Sequence, residues 1–245
     1  MKKWDLQNNF QFSISNFQLD KLTTILLQNR GIKTKKEIEE FLNPILESLT
    51  VQNLGIDKRN LQKSLKRIKK AIERKEKIIV FGDYDVDGIT GSAILWETLN
   101  SLGADVMPYI PHRVQEGYGL SKVGIDNLMK IYPDSKLIIT VDNGIVANEA
   151  VKYTNSLGLE VIITDHHVPG KSKPKAYAIV HTTSVCGAAV AWILSRALIR
   201  CPVSLRPRPA SSPASQSAGA RRGSPALATP RCLLYLHRRK TGILF

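Results

Sequence analysis

Three short apolar runs constrain the fold of this chain more than any other feature: KIIVF at residues 77–81, LIITV at 137–141 and VIIT at 161–164. Each is rich in β-branched residues and lacks polar alternation, so neither face of the strand it forms is meant for water. Strands covered on both sides belong to parallel sheets, whose crossover connections lay helices over each face. Each run also ends in side chains that bind metals: Asp83-Tyr84-Asp85-Val86-Asp87-Gly88, Asp142-Asn143-Gly144 and Asp165-His166-His167. Ligands of open α/β sheets gather in the crevice beyond the carboxyl ends of the strands. Carboxylates and imidazoles at three strand ends therefore point to a metal centre.

From residue 77 onward the pattern alternates between strand and helix. Helices are predicted over 88–102 (closed by Gly103), 121–131, 145–157 (closed by Gly158) and 185–199, with further strands over 104–110 and 177–180. This alternation predicts an α/β fold, a mostly parallel sheet flanked by helices on both faces with right-handed crossovers. Residues 1–75 read as a helical N-terminal segment. Thr34 caps a helix over 35–42 with Glu37 in the capping-box position, and Asn43-Pro44 ends it. Leu61, Leu65, Ile68 and Ile72 share one helical face, while Lys63, Lys66, Arg67, Lys69, Lys70, Arg74 and Lys75 cover the others. A solvated face is favoured over a phosphate-contacting one.

The 245 residues hold one large domain or two small ones. The net charge of +14 is unevenly spread: no acid follows Asp165, and the arginines concentrate from Arg196 onward. Residues 200–245 are rich in Pro, Ser, Ala and Arg without hydrophobic periodicity, which predicts a disordered tail. The abrupt exchange of Lys, Asn and Ile for Arg, Ala and Pro is what a change of reading frame produces, so the tail is expected to be foreign to the fold. The competing account is a basic arm that holds phosphates. The start, MKKWDLQNNF, lacks the apolar core of a secretory signal, and the run over 186–194 is far short of the roughly 20 residues that span a bilayer. Cys186, Cys201 and Cys232 make neither a disulfide framework nor a Cys-x-x-Cys zinc site, and a cytoplasmic location is expected.

The run Asp-x-Asp-x-Asp-Gly at 83–88 also opens calcium-binding EF-hand loops. Such a loop needs a glutamate at position 94, where this chain has Ile94, and a helix before it, where a strand is predicted. In an extended segment Asp83, Asp85 and Asp87 face one way, and three acids so close require cations. Asp142-Asn143-Gly144 also suits a plain tight turn. Carboxylate oxygen with a little imidazole and no thiolate suits manganese or magnesium better than a structural zinc.

The ordered set Gly82–Thr90, Val141-Asp142-Asn143-Gly144 and Thr164-Asp165-His166-His167 resembles the DHH phosphoesterase family. Phe41-Leu42-Asn43-Pro44, Pro111-His112-Arg113, Glu116-Gly117-Tyr118-Gly119-Leu120 and Cys186-Gly187-Ala188-Ala189-Val190-Ala191 are similar to its RecJ branch of single-strand-specific DNA exonucleases. The resemblance covers about residues 15–195 and makes 76–199 the DHH domain. It implies hydrolysis of single-stranded DNA from the 5′ end by two divalent ions, Mn2+ or Mg2+, in DNA repair and recombination. Asp83, Asp85, Asp87, Asp142 and His166 would hold the metals, with Asp142 as the bridge. Asp165 and His167 would orient ligands or assist proton transfer. His112, Arg113 and Tyr118 would meet the substrate. A monomer is expected, with a single-strand-binding protein as a candidate partner and no membrane association.

The chain departs from that branch in two ways. The resemblance implies another metal-binding aspartate after the Cys-Gly-Ala helix and a second domain with a Gly-rich, His-containing motif, neither of which follows here. The domain is thus expected to be incomplete and its activity impaired. Two alternatives stand beside this expectation: a phosphoesterase acting on oligonucleotides or nucleotide phosphates, and a non-catalytic DNA-binding scaffold.

Overall fold

The computed structural model describes residues 21–200. Five strands, β1 (Lys77–Phe81), β2 (Val106–Tyr109), β3 (Ser135–Val141), β4 (Glu160–Asp165) and β5 (Ala178–His181), form one sheet in the order β2-β1-β3-β4-β5. All four neighbouring pairs are parallel. The three apolar runs are its central strands, β1, β3 and β4.

Their lack of polar alternation has a direct cause. Ile78, Val80, Leu137, Ile139, Val141 and Ile162 feed one core, beneath α3 (Lys58–Glu73), α4 (Val86–Ser101) and α7 (Gly187–Arg200). Ile79, Phe81, Ile138, Val161 and Ile163 feed the other, beneath α5 (Lys122–Ile131) and α6 (Asn148–Ser156). Every one of these strand residues is fully buried. The expected sheet with helices on both faces is the observed one.

Helix starts follow local side-chain chemistry. Helix α1 spans Lys21–Asn29. Thr34 and Glu37 form the expected capping box at the head of α2 (Lys35–Leu42). Asp57 and Ser121 cap α3 and α5 through the Asn60 and Gly124 N–H groups. Helix α4 starts two residues before the expected Gly88, because the Asp85 side chain accepts the Gly88 N–H at 2.9 Å and ends the extended segment there. Helix α6 starts later than expected, at Asn148, since residues 142–147 form the loop beyond β3.

Arg67 departs from its assignment to a solvated face. It is 5% exposed, with Nη2 2.7 Å from Glu76 Oε2 and Nε bonded to Glu160 at the start of β4. Residues 1–20 of the N-terminal segment and residues 201–245, read above as a disordered tail, lie outside the described residues. No described helix is long and apolar enough to cross a membrane.

Candidate metal centre

Strands β2 and β3 lie on opposite sides of β1, so the chain switches direction across the sheet and opens a crevice at the carboxyl ends of β1 and β3. Asp83 stands two residues beyond β1, Asp142 one beyond β3, and Asp165 closes β4. All three are buried, at 0%, 1% and 1% exposure.

Asp142 takes a left-handed conformation, φ +63°, and its N–H donates to the Thr164 carbonyl at 3.0 Å. The loop is held by Asn143, whose amide donates to the Phe81 and Val141 carbonyls, and by the Thr140 hydroxyl, which donates to the Asn143 carbonyl. Asp142-Asn143-Gly144 is therefore a bend held by side-chain bonds, and it supports a buried carboxylate; the hydrogen-bonded turn follows at residues 144–147. Asp142 Oδ1 lies 3.2 Å from His166 Nε2 but lacks hydrogen-bond geometry, and Asp83 Oδ2 likewise has no donor. Buried acceptors left this way are costly unless a cation meets them.

The possible ligand atoms fall into two groups, each with its members within 4.8 Å of one another: Asp83, Asp85 and Asp142, and Asp142, His166 and His167. Asp142 belongs to both. This donor set of carboxylate oxygens and imidazole nitrogens fits a pair of hard divalent cations. Asp87 lies outside both groups, because helix α4 has begun before it; its Oδ2 accepts the Gly187 N–H at 3.3 Å. Strand-like alternation therefore does not extend through Asp87.

Asp165 is saturated by donors. It accepts the Ile145, His166 and His167 N–H groups at 2.8, 2.7 and 3.1 Å, and His167 Nδ1 at 2.8 Å. Its carboxylate positions the two histidines. Burial opposes charge on His167, but the hydrogen bond and charge of Asp165 outweigh it and raise its pKa. His167 Nε2 is 3.2 Å from the Tyr118 hydroxyl. Tyr118 sits between left-handed Gly117 and Gly119, in a loop pinned by Glu116, which accepts from Tyr109 and Asn127.

The rim also holds residues that the spacing did not single out. Arg113 lies 4.9 Å over the Tyr84 ring, and Tyr84 meets Tyr118 edge-on at 6.2 Å. Tyr84 was hidden between two aspartates whose alternation drew attention to the acids. His181 Nε2 donates to the His167 carbonyl at 2.7 Å, steadying the histidine loop from β5. Gly187 abuts Asp142, where an added Cβ would overlap Oδ1. His112 is exposed, its Nδ1 accepting only the Gln115 N–H at 3.4 Å, and among the described residues it meets none of the acids.

Burial, reinforced by the Asp85 charge, pushes the Asp142 carboxyl up to about 7, and burial also raises Asp83. A folded pKa above the ordinary one means that the metal-free protein loses stability as pH rises from about 4 through about 7. Ligation needs the carboxylate, so Mn2+ affinity should rise through the same window with release of a proton. Calorimetry in buffers of differing ionisation enthalpy measures that release. A dissociation constant independent of pH between about 6 and 8 would contradict the coupling.

Residues 77–206 match the DHH family, N-terminal domain. The single-stranded-DNA-specific exonuclease RecJ of Bacillus subtilis is 34% identical over 80% of this chain and 26% of its own length. The RecJ of Thermus thermophilus is 38% identical over 69% of this chain and 24% of its own. The chain thus spans about a quarter of the length of these relatives. A crystal structure of exonuclease RecJ bound to manganese matches 57% of this chain and 37% of that one at TM-score 0.51 and 40% identity. RecJ of Thermus thermophilus in complex with Mn2+ matches 70% of this chain and 24% of its own, at TM-score 0.51 and 34% identity.

Proposed function

Because the chain belongs to the DHH family, we propose that it forms the metal-binding part of a RecJ-like exonuclease that hydrolyses single-stranded DNA from the 5′ end in the cytoplasm. The observation that carries this reading is the pair of ligand groups sharing Asp142 at the end of β3. When bound there, two divalent ions, Mn2+ or Mg2+, would supply Lewis-acid polarisation of a phosphoryl oxygen and a water of lowered pKa.

The side chains divide the remaining work. Asp83 and Asp85 would hold one ion and His166 the other, with Asp142 available to both. Asp87 supports the centre through the Gly187 N–H. Asp165 holds the proton of His167 on Nδ1, which leaves Nε2, now 3.2 Å from the Tyr118 hydroxyl, to take or give a proton once substrate displaces that contact. Arg113 is placed to grip phosphate, while Tyr118 and Tyr84 offer ring faces to bases. His112 is assigned to the mouth of the cleft by its motif alone.

This chain on its own is proposed to be a slow enzyme, since residues 166–245 contain no acid to complete the ligand set. Purified chain with Mn2+ and 5′-labelled single-stranded DNA should release nucleotides slowly, and Asp142→Asn should abolish the release. No Mn2+-dependent release would favour the scaffold alternative. Faster turnover of dinucleotides than of long strands would favour a small-substrate phosphoesterase.

A further inference from the structure

Helix α3 carries a charge pattern that the metal centre does not use. Residues 58–75 contain nine Lys or Arg and the single acid Glu73, whereas the rest of residues 1–170 contain thirteen Lys or Arg against twenty Asp or Glu. One cation, Arg67, is buried in ion pairs with Glu76 and Glu160. Arg59, Lys63, Lys66, Lys70 and Arg74 follow at spacings of four, three, four and four, which aligns them in one exposed stripe. At 1.5 Å per residue the stripe is about 22 Å long.

An ordinary solvated face mixes both signs. Helix α2 does so, with Lys36 3.8 Å from Glu40 one turn on. The α3 stripe is nearly of one sign: it sets Glu73 alone against five cations, and among the described residues Arg59, Lys66, Lys70 and Arg74 have no carboxylate within ion-pair distance. Like charges at this spacing destabilise a helix. The helix stands because its opposite face, Leu61, Ile68, Ala71 and Ile72, is locked in the core. The same burial leaves no apolar face to enter a lipid surface.

The stripe is also well placed. Asn60 Oδ1 accepts the Ile179 N–H, and Ile179 pairs with Ile163, two residues below Asp165. Arg67 meets Glu160 at the other end of β4. Helix α3 therefore runs antiparallel to the strands, and the stripe starts at Arg59 toward the carboxyl-end side of the sheet, where the metal centre lies, and leads away from it.

We infer that the Arg59–Lys63–Lys66–Lys70–Arg74 stripe of α3 is a phosphate-binding tract for a single nucleic-acid strand. A linear row of five exposed cations, none in an ion pair among the described residues, matches a linear polyanion. The choice of a single strand rests on the function proposed above, but strand binding by α3 requires no hydrolysis. It is measured without metal, on the Asp142→Asn chain, so that the two claims fail separately.

The experiment titrates a fluorescein-labelled oligothymidylate at several salt concentrations. The variant K66Q/K70Q/R74Q is compared with K33Q/K35Q/K36Q, which removes the same charge from the neighbourhood of α2. Residues 201–245 are common to both and cancel in the difference. Each lost phosphate contact lowers the slope of log K against log salt by about 0.7, so the α3 variant should lose about 2. The α2 variant should keep nearly the parent slope. An unchanged slope in the α3 variant overturns the tract, and so does an equal loss in both variants. Tighter binding to phosphatidylserine vesicles than to the oligonucleotide also overturns it.

Discussion

Asp142→Asn should raise the thermal midpoint of the metal-free protein at pH 8 and abolish the further rise that Mn2+ gives the parent. The Asp142 side chain is 1% exposed, Oδ1 lacks a donor, and burial with the Asp85 charge lifts its pKa to about 7. At pH 8 the metal-free fold therefore holds a buried anion, which asparagine replaces at the same volume. Asparagine also tolerates the φ of +63°. For a chain of this size, about 1 kcal/mol shifts the midpoint by roughly 2–4 °C. The loss on the metal side is larger. Mn2+ at about a hundred times its dissociation constant stabilises a binding fold by about 2.7 kcal/mol, and the variant should show none of it. Thermal scans with and without Mn2+ decide the matter: a variant stabilised as much as the parent would remove Asp142 from the centre.

Gly187→Ala should lower Mn2+ affinity by roughly 10- to 100-fold, the scale seen when groups supporting a ligand are lost, and destabilise the fold by about 1–3 kcal/mol. The added Cβ would lie 2.5 and 2.8 Å from Cγ and Cβ of Asp142 and nearer still to Oδ1, closer than atoms can stand. Either Asp142 turns away from His166 or α7 retreats. Helix α7 is held by Val190, Ala191 and Leu194 in the larger core, so the strain should be divided between them. Mn2+ titration followed by electron paramagnetic resonance, with urea unfolding alongside, reports both parts. Parental affinity with parental stability would show that Asp142 and α7 have room for the extra methyl group.

The strands and the helix caps were legible because their causes are local. The stretch Leu137–Val141 carries its double burial in its own composition, and Thr34 with Glu37 carries its own capping box. The same locality limited the reading at Asp87, where alternation implied a strand while the Asp85 side chain had already started α4. Arg67 was misplaced because its partner Glu160 lies ninety-three residues away. Tyr84 gained its place on the rim from Arg113 and Tyr118, neither of which is near it in sequence.

The candidate site divides along the same line. Each donor type was visible at the end of its own strand, since apolar runs and turn residues are short-range signals. Their convergence depends on the order β2-β1-β3-β4-β5, which sets Asp83, Asp142 and Asp165 side by side. The supporting contacts come from remote segments: Ile145 on Asp165, His181 on the His167 carbonyl, and Gly187 on Asp87. By itself, the sequence determined the strands, the caps and the kinds of ligand, because neighbouring residues are enough to specify them. Only the tertiary structure decided that Asp87 stands apart from both ligand groups and that Asp165 is saturated by donors, because burial and donor count are properties of packing across the sheet.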